Sequence, residues 1–319
     1  MTRILSGYRL QLGLLLLLAG LIGIFMIGSP QTFLHKRIYI AFMSTIPYQT
    51  LLALGLTLLI VAGEMDLSFP SIMAFSGWTF SSVFQATGNP VLACLCAFGT
   101  GIFAGFCNGV IVVLIGVPSI IATIGTQFFW RGASVLLADG LAINLTELRG
   151  SLFHGVLAGR IGGVIPSQMI WCLIFAVIFW LLLNRHVFGD DVRFIGDDIQ
   201  TAFMMGVKTK KVRILLFMIM GFISALVSVM ICMEMANWWP TQGEGYLLLV
   251  FAAIFLGGTS VFGGQGTIFG TVAGSIIIGI LEAGIISSGL SGHWTRLVHG
   301  LVIVVSVSVY ATVFGNRKR

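Results

Sequence analysis

RILLFMIMGFISALVSVMICM, residues 213–233, decides the fold class: no charge interrupts it from Ile214 to Met233, while Lys210, Lys211 and Arg213 stand at one end and Glu234 at the other. About 20 mainly apolar residues make a helix long enough to cross a bilayer, where every backbone N–H and C=O must find a partner away from water. Runs of the same kind recur at 10–28, 38–62, 67–86, 90–115, 118–138, 165–184, 247–263, 267–288 and 296–314, so ten spans are expected. Composition points the same way. Of 319 residues, 57% are apolar and 9% charged, whereas a soluble domain carries roughly 25% charged residues to cover its surface. No polar stretch of about 100 residues is left for a soluble domain, so residues 1–319 read as a single all-α, polytopic transmembrane domain.

Charge placement sets the expected orientation. With the N-terminus inside, the inner segments hold Arg3, Arg9, Arg185, Arg193, Lys208, Lys210, Lys211, Arg213, Arg317, Lys318 and Arg319. The outer segments hold only Lys36, Arg37, Arg149, Arg160 and Arg296, and Arg131 is left within a span. Positive charge in excess inside favours this orientation, and an even number of spans returns the C-terminus to the same side. Net charge is +6, but the basic residues are spread thinly among apolar runs, so the partner they face is membrane lipid and not nucleic acid. Trp171, Trp238, Trp239 and Trp294 fall near outer ends and Trp180 near an inner one, where an indole ring is buried and its N–H is wet. Residues 10–28 are too long for a signal-peptide core and are expected to stay as the first span.

Two smaller signals concern packing. Cys94, Cys96, Cys107, Cys172 and Cys232 all lie in apolar runs without metal-ligand spacing, so neither disulfides nor a metal site is expected. Gly101, Gly105 and Gly109 share one helix face, as do Gly266, Gly270 and Gly274. Small residues let backbones approach, so each trio is a packing seam, within one subunit or between two.

Function is first bounded by what is missing. The phosphate-cradling pattern GxxxxGK[ST] needs a lysine, and none stands between Lys211 and Lys318, across the glycine-dense stretch GGTSVFGGQGTIFG. That stretch reads as a tight turn. Acids that could couple an ion are Glu64, Asp66, Glu234 and Glu282; Asp66, followed by Ser68 at the start of the third span, reads as a helix cap or a gate. None of the five histidines pairs with Ser, Cys or Asp in a catalytic pattern, so no enzyme site is expected. Outer loops at about 139–164 and 234–246 are long enough to receive a partner. The inner loop, about 185–212, alternates Asp190, Asp191, Asp197 and Asp198 with Arg193 and lysines, yet includes Phe203, Met204 and Met205. A solvated loop has no use for that apolar trio; a docking helix does. The chain therefore reads as the membrane half of a larger machine, with a stand-alone proton-coupled carrier using Glu282 or Asp66 as the alternative and a non-transporting scaffold as a third reading.

At four colinear places the sequence resembles the permeases of ABC importers for ribose, xylose, arabinose, galactose and autoinducer-2. VAGEMDLSFPSIMAFSG (61–77) is similar to the family's TGGIDLSVGS pattern, and NGVIVVLIGVPSIIATIGTQFFWRGASVLLADG (108–140) to its NGLLI...IPxFIATLGT...RG segment. FGDDVRFIGDDIQTAFMMGVKTKKVRILLF (188–217) resembles FGRxxYAIGGNxxAAxLSGIxVxRxK, and residues 243–281 resemble GxGYELxAIAAxxIGGTSLxGGxG and its continuation. Glu64 and Pro70 replace glycines of the pattern, and Asp197 and Asp198 stand where it has Gly and Asn. The resemblance implies a type II importer-like permease in the bacterial inner membrane. It implies pairing with a second copy or a paralogue, and substrate delivered by an extracytoplasmic sugar-binding protein and passed through the dimer interface. It also implies work done by cytoplasmic ATPase subunits, which alone hold ATP and Mg2+; this chain needs no cofactor. The family's coupling helix falls on residues 194–208, with Asp197, Asp198, Ala202, Met205, Gly206 and Val207 as the ATPase-facing set. Asn108, Thr123, Thr126 and Gln127 offer neutral donors and acceptors suited to sugar hydroxyls, or alternatively serve as hydrogen bonds between helices.

Overall fold

The computed structural model describes residues 9–291 and 293–314, so the expected inner charges Arg3, Arg317, Lys318 and Arg319 lie outside the described residues. Helices dominate. In chain order they are α1 (Arg9–Gly28), a helical turn α2 (Pro30–Phe33), α3 (Lys36–Val61), α4 (Phe69–Thr87), α5 (Pro90–Val110), α6 (Ser119–Leu137), the short α7 (Leu152–Ala158) and α8 (Ser167–Arg185). Then come α9 (Val187–Asp197), α10 (Ile199–Met204), α11 (Thr209–Met235), α12 (Tyr246–Leu256), α13 (Ile268–Ser287) and α14 (His293–Phe314).

Each of the ten apolar runs contains a helix, and among the described residues seven are long and apolar enough to cross a membrane: α1, α3, α5 with its continuation to Ile115, α6, α8, α11 and α13. α12 falls short for a physical reason. Its 11 residues rise only about 16 Å, half of a bilayer's hydrocarbon. α4 is not among the seven, and its Ser71, Ser76, Thr79, Ser81 and Ser82 make it the hydroxyl-rich helix of the bundle. Local chemistry sets the boundaries. Asn89 accepts from the N–H groups of Val91 and Leu92 ahead of Pro90, Thr267 accepts from Gly270, and left-handed Gly88 ends α4.

α3 and α11 are the most buried of the long helices and form the centre of the core, whereas α1 lies outside against α13. Both glycine trios pack within the chain. A Cβ on Gly101 or Gly105 would overlap the carbonyls of Gly221 and Phe217, so α5 and α11 lie backbone to backbone. Gly270 and Gly274 meet Gly257 and Ala253 of the α12 side in the same way. Two ladders of two residues each complete the fold. β1 (Ile143–Asn144) pairs antiparallel with β4 (Asn237–Trp238), joining the two long loops of one end, and β2 (Arg160–Ile161) pairs with β3 (Ile165–Pro166). The hairpin α9–α10 occupies the opposite end. Trp238 departs from the headgroup expectation: it is 0% exposed, and its Nε1–H donates to the Ala74 carbonyl at 3.0 Å over the space left by Gly77.

Candidate functional site

Between α3 and α4 the chain runs for seven residues, Ala62–Ser68, without joining either helix. Backbone outside a helix within the bundle has N–H groups that need other acceptors, and side-chain oxygens provide them. Met65 N–H donates to Ser119 Oγ (3.2 Å), Leu67 N–H to Thr123 Oγ1 (3.1 Å), and Ser68 N–H to Asp66 Oδ1 (2.7 Å). Ser68 Oγ–H also donates to Asp66 Oδ1 at 2.6 Å, and Asn108 Nδ2 donates to Ser68 Oγ at 2.7 Å and reaches Asp66 Oδ2 at 3.5 Å. Asp66, Ser68, Asn108 and Thr123 are all 0% exposed, forming one polar knot that ties the segment to α5 and α6. Asn108 Oδ1 is buried without a hydrogen-bond partner.

The knot sits midway along a stripe. Ser119, Thr123, Gln127 and Arg131 recur every fourth residue on α6, so they share a face over about 18 Å. At the hairpin end the stripe opens into a cleft of about 470 Å³ that includes Gly63, Glu64, Pro118, Ser119 and Arg213. Within it Arg213 forms an ion pair with Glu64, its Nε–H donating to Oε1 at 2.7 Å. At the ladder end it opens into a second cleft of about 360 Å³, lined in part by Ser71, Gln127, Phe128, Arg131 and Glu244. There Arg131 donates to the carbonyls of Pro240 (2.5 Å), Gln242 (3.1 Å) and Pro70 (3.3 Å), clamping the 239–245 loop to the start of α4. Of the residues expected on a solute path, Asn108 and Thr123 lie in the knot. Gln127 is half-buried at the second cleft, and Thr126 is half-buried, its hydroxyl directed to the Thr123 carbonyl at 3.4 Å.

The hairpin has two faces. Asp198 caps α10, its Oδ1 accepting from the Thr201 N–H at 2.5 Å, and that bond holds its carboxyl below the usual aspartate range. Ala202 is buried, while Phe203, Met204 and Met205 are 71%, 84% and 61% exposed. Gly206 ends the turn at φ 88°, with the Val207 N–H donating to the Ala202 carbonyl at 3.1 Å. Met205, Gly206 and Val207 border a shallow cleft of about 390 Å³ together with Asp191, Lys208 and Lys211. On the inner face, Gly196 packs on the Val61 carbonyl, the same carbonyl that accepts from Gly264 N–H at 2.8 Å, and Asp197 lies against Gly264. The hairpin therefore rests directly on the end of α3 and on the 257–267 turn.

Ser119 and Glu244 were not singled out from the sequence, where they look like an ordinary span hydroxyl and a loop acid. Glu64 stood out as an acid, but its pairing with Arg213 joins positions 149 residues apart. Arg131 did leave a trace as the single cation expected within a span.

A multi-pass helical membrane protein, with a polar stripe closed between two clefts and exposed apolar side chains on a hairpin at one end, has the form of a transport permease. The chain belongs to the family described as the branched-chain amino acid transport system / permease component, which matches residues 38–307. It is 32% identical over 305 residues to the ribose import permease protein RbsC of Bacillus subtilis (strain 168), covering 95% of this chain and 93% of that one. It is 30% identical over 297 residues to RbsC of Escherichia coli (strain K12), 92% of each. Against the autoinducer 2 import system permease protein LsrC of Yersinia pseudotuberculosis (serotype O:3) it is 31% identical over 260 residues, 80% of this chain and 71% of the relative.

Proposed function

We propose that this chain is the translocating subunit of an ATP-driven importer for a sugar or sugar-like polar solute in the bacterial inner membrane, working without catalysis of its own. Ten spans with both termini in the cytoplasm put the α9–α10 hairpin inside and the β1–β4 ladder outside. Binding protein delivers solute at the ladder end, a second permease copy or a paralogue lies alongside, and ATP with Mg2+ is bound by ATPase subunits at the hairpin. The observation that carries this reading is the trio Phe203, Met204 and Met205, held exposed on a capped, charge-flanked helix. Large apolar side chains at a water-facing end mark a protein interface. Asp197, Asp198 and Ala202 set the helix's attachment, and Met205, Gly206 and Val207 border the cleft beside it. Solute passes along Gln127 and Thr126 towards Thr123 and Asn108, with Asp66 and Ser68 as the gate between the clefts. The proton-carrier reading gains nothing from Asp66, whose carboxylate is bonded to Ser68 and Asn108.

Purification and reconstitution test it. The tagged permease should co-purify with an ATPase, and Phe203→Asp/Met204→Asp should abolish that association and ATP-dependent sugar uptake in liposomes. Proton-driven uptake by this chain alone would overturn the reading.

A further inference from the structure

α4 begins inside the bundle, and the loop that leads into α12 folds over its N-terminus. α4 starts at Phe69 after the 62–68 segment, and α12 starts at Tyr246 after the 239–245 loop folds back far enough for Gly243, at φ 92°, to touch the Pro70 carbonyl. Neither N-cap residue, Ser68 or Gly245, makes a side-chain capping bond. The cleft of about 360 Å³ lies at this meeting point.

We propose that this cleft is the subsite that holds a neutral monosaccharide before it passes the knot, an inference that rests on the sugar-import reading above. Four observations set the chemistry. Ser71 is 0% exposed, its Oγ has no hydrogen-bond partner, and it forms part of the cleft wall. A buried hydroxyl left without a partner is costly, and a solute hydroxyl supplies one. Arg131 is largely committed to the loop, three of its five N–H groups donating to backbone carbonyls. The same wall carries the Gln127 amide, which both donates and accepts, and the Glu244 carboxylate, which accepts and whose negative charge opposes an anion; together these suit hydroxyls better than phosphates. Phe128, 72% exposed, adds an apolar ring to the same wall, a surface for the C–H face of a pyranose or furanose. The volume is at the small end for ligand clefts, which fits one sugar ring. Gln127 is also one helical turn from Thr123 on the stripe, so a bound sugar lies directly ahead of the knot.

Uptake kinetics test the assignment. The importer complex, carrying Ser71→Ala, Gln127→Ala or Glu244→Gln, is reconstituted in liposomes and assayed with radiolabelled D-ribose, D-fructose, D-galactose and ribitol. Gln127→Ala and Glu244→Gln should each raise KM for the preferred solute by about tenfold and change its preference over the other three by about fivefold, as loss of a specific hydrogen bond does. Ser71→Ala, which removes one unpaired hydroxyl and nothing from the packing, should shift preference in the same sense, so the result does not depend on variants that fold poorly. Unchanged kinetics, or a loss shared equally by all four solutes, would overturn the subsite while leaving the import reading intact. A wild-type complex that moves none of the four would overturn the import reading and the subsite with it.

Discussion

Gly105 has no room for a side chain. A Cβ there would overlap the Phe217 carbonyl, whereas one on Gly99, six residues earlier on the same helix, would meet nothing within 4 Å. Gly105→Val should therefore destabilise the folded chain by about 1–3 kcal/mol, the cost of overpacking a filled site, while Gly99→Val should leave the melting temperature in detergent within a degree or so of wild type. Equal melting of the two variants would show that α5 and α11 are not in backbone contact. The glycine seam was legible because a four-residue repeat of one small residue has a single geometric meaning on a helix. What it faced was not. The polar knot was less legible still: Asp66 and Ser68 stand just ahead of α4, but the N-cap Ser68 makes no side-chain capping bond there, and both are tied instead to Asn108, across 42 and 40 residues of sequence, a meeting that no local period encodes. Thr123 could be read from sequence as a solute donor or as a bond between helices; its hydroxyl accepts from Leu67 N–H and donates to the Ser119 carbonyl at 2.7 Å.

Among elements, long apolar helices were the legible part, since about 20 uncharged residues leave the backbone no alternative in lipid. Elements broken by a change of partner were not. α4 starts inside the bundle after a segment whose N–H groups are accepted by the Ser119 and Thr123 hydroxyls, and the loop ahead of α12 is held by Arg131, which donates to the Pro240 and Gln242 carbonyls from a distant helix. α10 is different, because its cap lies within its own sequence. Asp198 accepts from Thr201 N–H, and the carboxyl is held below its usual value. A carboxyl lowered on folding contributes stability above its unfolded pKa, about 3.9, and loses it as pH falls through the lower folded value. Amide exchange at Thr201, corrected for the intrinsic pH effect, should thus show constant protection from pH 5 to 8 and decline only below about pH 4. In Asp198→Ala that protection should already be lost at pH 7, with ATPase association weakened because α10 frays. Protection retained in the alanine variant would mean that the cap does not hold the helix.

At the scale of the whole molecule, the proposed import mechanism needs a route by which a push on α10 reaches the proposed gate near Asp66. Two connections run between them. One is direct packing, through Gly196 and Asp197 onto the Val61 carbonyl and Gly264. The other is the Glu64–Arg213 pair, which links the foot of α11, a few residues past the hairpin, to the segment that leads into Asp66. Their side chains are only 9% and 17% exposed, so Arg213→Met leaves a largely buried carboxylate unpaired. That single change should cost about 3 kcal/mol, at the lower end for a broken buried pair because a cleft opens onto it, while Glu64→Met/Arg213→Met should recover most of the loss. Thermal melting of the two single variants and the double variant measures the coupling. If the pair is also the mechanical link, the double variant regains stability but not transport: ATP hydrolysis continues in the assembled importer while sugar uptake falls. Full recovery of both melting temperature and uptake would assign the force to the Gly196–Val61 contact alone, and the pair would then be a structural brace.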